Sequence, residues 1–335
     1  MKRLLILLML LTSCSVNTSS ITTSIDYSIN MDTDFPINDC LEDGQNKKAK
    51  VIALLGQSNA SGCTYNSYLQ KNTTQEEYLR YEKGFDNILI NYSIDNRSYT
   101  SNGEFKKVDL TNGVKPGRFG PDVGMADVLS EKISDESIFI LKFTMSGYSL
   151  NHHWLNEYEK FDIYNACLIF LETYLDYLIS KNYDISLDAI CFMQGESDTT
   201  EFKASRYYNN LIKFTSFLRT DLDEYNDEEI YFVDAGISNS PYCEPSYPEI
   251  NKAKEDFSKL SPYNVYFPTI EEGLTTLHEP YEEPDLGHYD SLSMIKLGEL
   301  FGEQLTNILI KKQINHFNKK RSPWGDLLLL NILVK

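Results

Sequence analysis

Residues 51–59 read Val51-Ile52-Ala53-Leu54-Leu55-Gly56-Gln57-Ser58-Asn59, and this stretch decides the fold class. Five apolar residues in a row show no alternation, so the strand is covered on both faces, as parallel strands in α/β proteins are. A polar turn opening on glycine follows at once. Open parallel sheets carry their chemistry in the crevice beyond the carboxyl ends of the strands, which makes Ser58 a candidate nucleophile. The competing role for Ser58 is to cap the next helix at an ordinary β-to-α turn.

The rest of the chain repeats the pattern. Candidate strands at 51–55, 138–143, 189–193, 230–234 and 264–268 alternate with helical stretches near 122–133, 161–180, 202–219, 248–260 and 291–310. That order predicts a three-layer αβα sandwich around a mainly parallel five-stranded sheet, the flavodoxin-like class of α/β fold. The stretch 48–312, about 265 residues, suits one such domain with a large core. Within the insert from Cys63 to Phe119, two β-like runs, 87–94 and 104–110, are separated by Asn102-Gly103 and predict a hairpin beside the cleft. No internal repeat is visible.

A serine nucleophile needs a general base and a group that orients it. The chain has five histidines. His288 stands in Asp285-Leu286-Gly287-His288, after a proline-rich loop and just before an amphipathic helix for which Asp290 or Ser291 is an acceptable N-cap. An aspartate three residues earlier can fold back to accept the Nδ1 proton, leaving Nε2 to take the proton of Ser58. A plain surface Asp-His contact is the alternative. His152 and His153 are adjacent and face different ways on a regular element, His316 lies in a basic tail, and His278 is near enough in sequence to line the same cleft.

Ester attack also needs donors for the developing oxyanion. Ser58 supplies its own N–H. Gly147, in Ser146-Gly147-Tyr148-Ser149 after the strand 138–143, can bring a backbone N–H close to a ligand. Gln194, in Gln194-Gly195-Glu196-Ser197-Asp198 after the strand 189–193, offers a side-chain amide; each of these glycines can equally serve a tight βα turn. Gly120 is an outside candidate. Glu196 and Asp198 invite a two-carboxylate glycosidase reading, but they are two residues apart on a turn and read better as supports of the Gln194 loop. Gln57 and Asn59 flank the nucleophile as supporting residues.

Taken together, Gly56-Gln57-Ser58-Asn59, Gly120-Pro121-Asp122-Val123-Gly124-Met125-Ala126, Ser146-Gly147-Tyr148-Ser149, Gln194-Gly195-Glu196-Ser197-Asp198 and Asp285-Leu286-Gly287-His288 resemble, in order, the motifs of SGNH (GDSL) hydrolases. The closer resemblance, over about residues 50 to 305, is to the sialate O-acetylesterase-like branch, which includes acetylxylan esterases. It implies Ser58 as nucleophile, His288 as base, Asp285 as its orienter, and Ser58 N–H, Gly147 N–H and the Gln194 side chain as the oxyanion hole. It also implies an acetylated carbohydrate, polysaccharide or sialic acid, as substrate, with no metal or organic cofactor. Two positions depart from the branch: Ser146-Gly147 stands where two glycines are usual, and Phe192-Met193 where an aromatic residue or histidine commonly precedes Gln-Gly-Glu.

The N-terminus carries an address. Met1-Lys2-Arg3, the apolar run from Leu4 to Leu11, and Thr12-Ser13 form a signal peptide, residues 1–13, too short to span a bilayer. Leu11-Thr12-Ser13-Cys14 resembles a bacterial lipobox, which implies lipidation at Cys14 and a lipid-anchored, extracytoplasmic place in the cell envelope. Plain secretion is the alternative. Residues 14–47 are polar and aperiodic and predict a flexible tether. Residues 313–335 form a basic and then apolar tail without an assigned role.

The formal charge is −18, and loss of residues 1–13 removes Lys2 and Arg3 and brings it to −20. Such a surface repels nucleic acid and polyanions. Cysteines other than Cys14 number five, with no Cys-x-x-Cys to suggest zinc. Cys167 and Cys191 fall on core elements; Cys63 is a candidate to pair with Cys243. The 23 tyrosines include residues suited to stack on sugar faces near a cleft. Specificity is expected to reside in loops such as 63–119 and 238–250. Three functions compete: a carbohydrate O-acetylesterase, a lipase or thioesterase of the same superfamily, and a non-catalytic glycan-binding lipoprotein. An intact Ser58, Asp285 and His288 favours the enzymes. Nothing in the sequence fixes the oligomeric state.

Overall fold

The computed structural model describes residues 25–133, 136–277, 279 and 285–320, with side chains as far as residue 314. In chain order its main elements are β1 (Lys48–Gly56), α1 (Ser58–Ser61), α2 (Asn66–Asn72), α3 (Gln75–Lys83), β2 (Phe85–Ile94), β3 (Tyr99–Thr100), β4 (Lys106–Val108), α4 (Asp122–Lys132), β5 (Ser137–Thr144), α5 (Asp162–Ser180), β6 (Asp184–Met193), α6 (Glu201–Asp221), β7 (Tyr231–Ala235), α7 (Tyr247–Ser258), β8 (Asn264–Phe267) and α8 (Ser291–Lys320). The expected αβα sandwich is borne out. Its sheet runs β8-β7-β6-β1-β5-β2-β3, with β4 also on β2. The five expected strands are adjacent and parallel.

The insert departs from expectation. Its first run becomes β2, a sixth parallel strand laid on β5, so the 87–94 and 104–110 pairing forms at the edge of the central sheet, and Asp95 just after β2 accepts the Ser146 N–H at 2.7 Å. The reason is burial on both faces. Ile88, Ile90 and Ile94 are buried, and so are Asn91 and Ser93 between them, a pattern that a half-exposed hairpin strand would not sustain.

Two helices lock the sheet end that presents His288. A Cβ on Gly124 of α4 would stand 2.1 Å from the Ile295 carbonyl oxygen of α8, and one on Gly298 would stand 2.0 Å from that of Pro121. The segment 120–126 is thus a close-packing surface for the helix that begins after His288. Asp290 caps that helix, accepting the Ser293 N–H at 2.9 Å and the Thr275 hydroxyl at 2.6 Å.

The tether expectation needs correction. Of residues 14–47, those from 25 onward pack along the domain. Phe35 is buried with its ring 5.3 Å from Phe170 and 6.4 Å from Phe143, Tyr174 donates to the Pro36 carbonyl at 2.8 Å, and Tyr177 donates to Asp39 at 2.8 Å. Burying a side chain such as Phe35 is worth about 1.5–3 kcal/mol, and with these hydrogen bonds it contributes to holding an extended strap that shows no periodicity in sequence. The signal peptide, Cys14, His278, residues 321–335 of the tail and the side chain of His316 lie outside the described residues.

Candidate active site

Three neighbouring strands bring three loops to one rim. Gly56 at the end of β1 lies opposite Thr144 of β5 and Met193 of β6, so residues 57–59, 145–149 and 194–198 emerge together. Gly56 has φ +146°, and a Cβ there would stand 2.0 Å from the Met193 oxygen; only glycine permits the approach. The chain then turns, with the Gln57 N–H donating to Met193 O at 3.0 Å.

Ser58 is the first residue of α1 and is half-buried. It does not cap the helix, because the N-cap position belongs to Gln57 and carries no side-chain bond. Among the described residues, neither the Ser58 hydroxyl nor its N–H is taken by a hydrogen-bond partner. Both remain available to a substrate.

Asp285 Oδ2 lies 2.6 Å from His288 Nδ1, and Asp285 Oδ1 accepts the Gly287 N–H at 3.1 Å. The turn therefore fixes the carboxylate that fixes the imidazole. Burial disfavours the charged ring, but the bond to Asp285 and the Cys63 thiol beside it outweigh burial and raise the His288 pKa above its ordinary 6.5. The same hydrogen bond holds Asp285 below 3.8 against its own burial.

The neighbours of Ser58 and His288 staple their loops together. Asn59 Oδ1 accepts the Tyr289 N–H at 3.2 Å, and Thr64 Oγ1 donates to the Tyr289 carbonyl at 2.9 Å. Asn59 Nδ2 in turn donates to Glu196 Oε1 at 2.7 Å. Gln57 Oε1 accepts from Ser197 N at 3.2 Å. Gln57, Asn59 and Glu196 thus tie the turn after β1 to the turn after β6 and to Tyr289. Cys63 was not anticipated beside the imidazole; its place five residues after Ser58 was the available signal.

Gly147 has φ +79° and open space where a Cβ would be, and its N–H bonds to none of the described residues. Its turn is held against the nucleophile turn by Met145 N donating to Gly56 O at 2.9 Å and by the Ser61 and Ser146 hydroxyls, 3.2 Å apart. Gln194 does not match its expected role as an oxyanion donor. It is fully buried, its Nε2 donates to Asp198 Oδ2 at 2.7 Å and the Tyr148 carbonyl at 3.3 Å, and its Oε1 accepts from the Tyr207 hydroxyl at 3.0 Å. With both amide hydrogens committed, the side chain braces the cleft from behind.

Asp198 is buried and accepts the N–H groups of Leu150 and Asn151 at 2.8 and 3.1 Å; burial raises its pKa while those donors oppose the rise. It ties the loop after β6 to the loop after β5, as a support. Gly120 is buried, and a Cβ placed on it would stand 2.7 Å from Asp122 Oδ1 and 3.0 Å from Lys142 Nζ. Lys142 itself forms a fully buried ion pair with Asp122 at 2.7 Å. The His152 and His153 rings stand at 88° to each other, with Tyr27 of the N-terminal strap stacked on His152 at 4.0 Å. Among the described residues no cluster of three or more His, Cys, Asp or Glu is placed to hold a metal. Cys63 and Cys243 are not joined: all five described cysteines are free thiols, and Cys243 instead accepts from the Ser240 hydroxyl at 3.4 Å. Cys167 and Cys191 are buried as expected.

Comparison with known proteins agrees with this architecture. The family described as "Carbohydrate esterase, sialic acid-specific acetylesterase" matches residues 48–307, and the chain belongs to it. No curated protein matches the sequence. Among solved structures, a protein from Arabidopsis thaliana is 18% identical with a TM-score of 0.56, covering 77% of this chain and 98% of its own. NanS is 12% identical with a TM-score of 0.56, covering 82% and 99%. XAC1771, described as a novel carbohydrate acetylesterase from Xanthomonas citri, is 14% identical with a TM-score of 0.52, covering 76% of this chain and 55% of its own. At such identities the likeness bears on the fold. Family membership makes the protein a carboxylic ester hydrolase and bears out the resemblance drawn from its motifs.

Proposed function

We propose that the protein is a serine O-acetylesterase that removes acetyl groups from carbohydrate through an acyl-enzyme. The observation that carries this reading is the 2.6 Å Asp285–His288 bond on a loop stapled, through Asn59 and Tyr289, to the turn that bears an unpartnered Ser58 hydroxyl. Ser58 Oγ attacks the acetyl carbonyl while His288 Nε2 takes its proton, and Asp285 stabilises the imidazolium that results. The N–H groups of Ser58 and Gly147 receive the oxyanion. Collapse expels the sugar oxygen, which takes the proton from His288. Water, deprotonated by the same imidazole, then releases acetate and restores Ser58.

The test is acetate release by the purified protein from acetylated xylan, O-acetylated sialic acid and O-acetylated peptidoglycan, with Ser58→Ala as control. Release from one of these and its loss in the variant is the expected result. Residual activity within about tenfold of wild type would remove Ser58 from the role, since loss of a nucleophile costs far more. An acetyl-specific site is expected to make kcat/KM fall from nitrophenyl acetate to butyrate to octanoate. A flat or rising series would favour a lipase.

For location, we propose lipid anchoring at Cys14 in the cell envelope, supported by the lipobox-like Leu11-Thr12-Ser13-Cys14. Residues from 25 onward are docked on the domain.

A further inference from the structure

Tyr242 stands out among the exposed aromatic residues because of where it is. Isolated exposed apolar side chains are ordinary on any protein surface, but this ring, 69% exposed, stands on the loop between β7 and α7 and lies against the loop that carries the candidate base. Its Cδ2 and Cε2 carbons are 3.4 and 3.7 Å from the position a Cβ would take on Gly287, the residue before His288. A substrate ring resting on Tyr242 therefore stands beside the imidazole.

The backbone that carries the ring is held in place. The next residue, Cys243, is buried and anchors the loop through Cys243 N to Ser240 O at 2.9 Å, Tyr247 N to Cys243 O at 2.9 Å, and the Ser240 hydroxyl to the Cys243 sulfur at 3.4 Å. On the other side, the Thr199 hydroxyl, which donates to the Glu196 carbonyl at 2.8 Å, also stands 3.4 Å from the Tyr242 carbonyl, which sets this loop against the end of the Gln194–Asp198 segment. A rigid aromatic with two torsions presents a large amphipathic face at low entropic cost, and the C–H face of a pyranose is the flat apolar surface that matches it.

We propose that Tyr242 is the stacking platform for the pyranose unit next to the scissile acetyl group, and that the sugar it takes is uncharged. This rests on the reading of the Ser58 centre as an O-acetylesterase. The charge argument is local: Glu244 follows two residues on and its carboxylate disfavours an anionic sugar at this position, while the Asp285 charge is matched by His288, 2.6 Å away.

The experiment compares wild type, Tyr242→Ala and Tyr242→Phe on nitrophenyl acetate, acetylated xylo-oligosaccharides and O-acetylated sialic acid. Tyr242→Ala is expected to lower kcat/KM on the oligosaccharides, mainly through KM, at least tenfold more than on nitrophenyl acetate, and Tyr242→Phe to retain most of the wild-type value. Equal losses on ester and oligosaccharide, or no loss on either, would overturn the platform. A Tyr242-dependent preference for O-acetylated sialic acid would overturn the neutral-sugar assignment. Retardation of Ser58→Ala in a xylan-containing gel, abolished by adding Tyr242→Ala, reads binding without turnover. If wild type hydrolyses no acetyl ester, the esterase reading falls, and this arm still decides the platform.

Discussion

Asn59 Nδ2 donates to Glu196 Oε1 at 2.7 Å, and with the Ser197 N–H that Gln57 Oε1 accepts at 3.2 Å this bond joins the turn after β1 to the turn after β6. Because Asn59 Oδ1 also receives the Tyr289 N–H, the same amide helps to set the spacing of nucleophile and base loops, together with the Thr64 hydroxyl on the Tyr289 carbonyl. Misplacement of a reacting group by about 1 Å can cost 10²-fold. Asn59→Ala is therefore expected to lower kcat about 10²-fold with little change in KM. Asn59→Asp should be worse, since it sets a carboxylate against Glu196. Steady-state kinetics on an acetyl ester checks both, and equal activity in the two variants would deny the bridge its role.

The Asp285–His288 pair gives a pH prediction. A base must be neutral to act, and the His288 pKa is raised above 6.5, so kcat/KM should climb with pH along a limb lying above 6.5. Asp285→Asn should lower the plateau about 10⁴-fold and shift the limb toward lower pH. Cys63→Ala, removing the thiol that also raises the pKa, should shift the limb the same way without that loss. Stability follows the opposite sense. The raised His288 stabilises fully below 6.5 and loses this as pH rises through its folded value; the depressed Asp285 stabilises above 3.8 and loses this as pH falls. The contact is most stabilising between those two values, and denaturation across that range measures it.

Gln194 offers a way to tell a brace from a catalytic donor. If it braces the cleft, Gln194→Ala leaves Asp198 and the Tyr207 hydroxyl with a buried partner missing and costs about 1–3 kcal/mol of stability. A pure oxyanion donor would cost about 10²–10³ in rate with unchanged unfolding. Thermal or denaturant unfolding of the variant separates the two.

Lys142 and Asp122, both fully buried, predict a third kind of behaviour. Lys142→Ala strands a buried carboxylate and should cost about 3–5 kcal/mol, whereas Lys142→Met combined with Asp122→Leu should recover most of it. Denaturant midpoints of the single and double variants give the comparison. A double variant as unstable as the single one would mean that the shape of the site matters more than its charge.

At the N-terminus, lipidation predicts that the mature protein enters the detergent phase and labels with a fatty-acid analogue. Cys14→Ala should stop both and leave the esterase activity of the isolated domain unaltered. Soluble, unlabelled wild type would leave plain secretion.

The central α/β pattern was legible because burial on both faces leaves a local mark: the runs 51–55, 138–143 and 189–193 are apolar without alternation, and helical periodicity returns between them. The Asp285-x-x-His288 contact was legible for the same reason, since a short turn is a local object. The helix α3 carried its own mark in the Thr74–Glu77 capping box, which went unread inside the insert. What the tertiary structure alone decided are the relations between segments distant in sequence. Gln194 turned from a donor into a brace because Asp198, Tyr148 and Tyr207 claim its amide, and no spacing in the chain encodes that competition. The strap from 25 to 47 docks through single residues such as Phe35, whose burial depends on a groove built by β5 and α5. Short-range patterns are written by the chain's own geometry; partner choice at long range is settled only when the whole core excludes water.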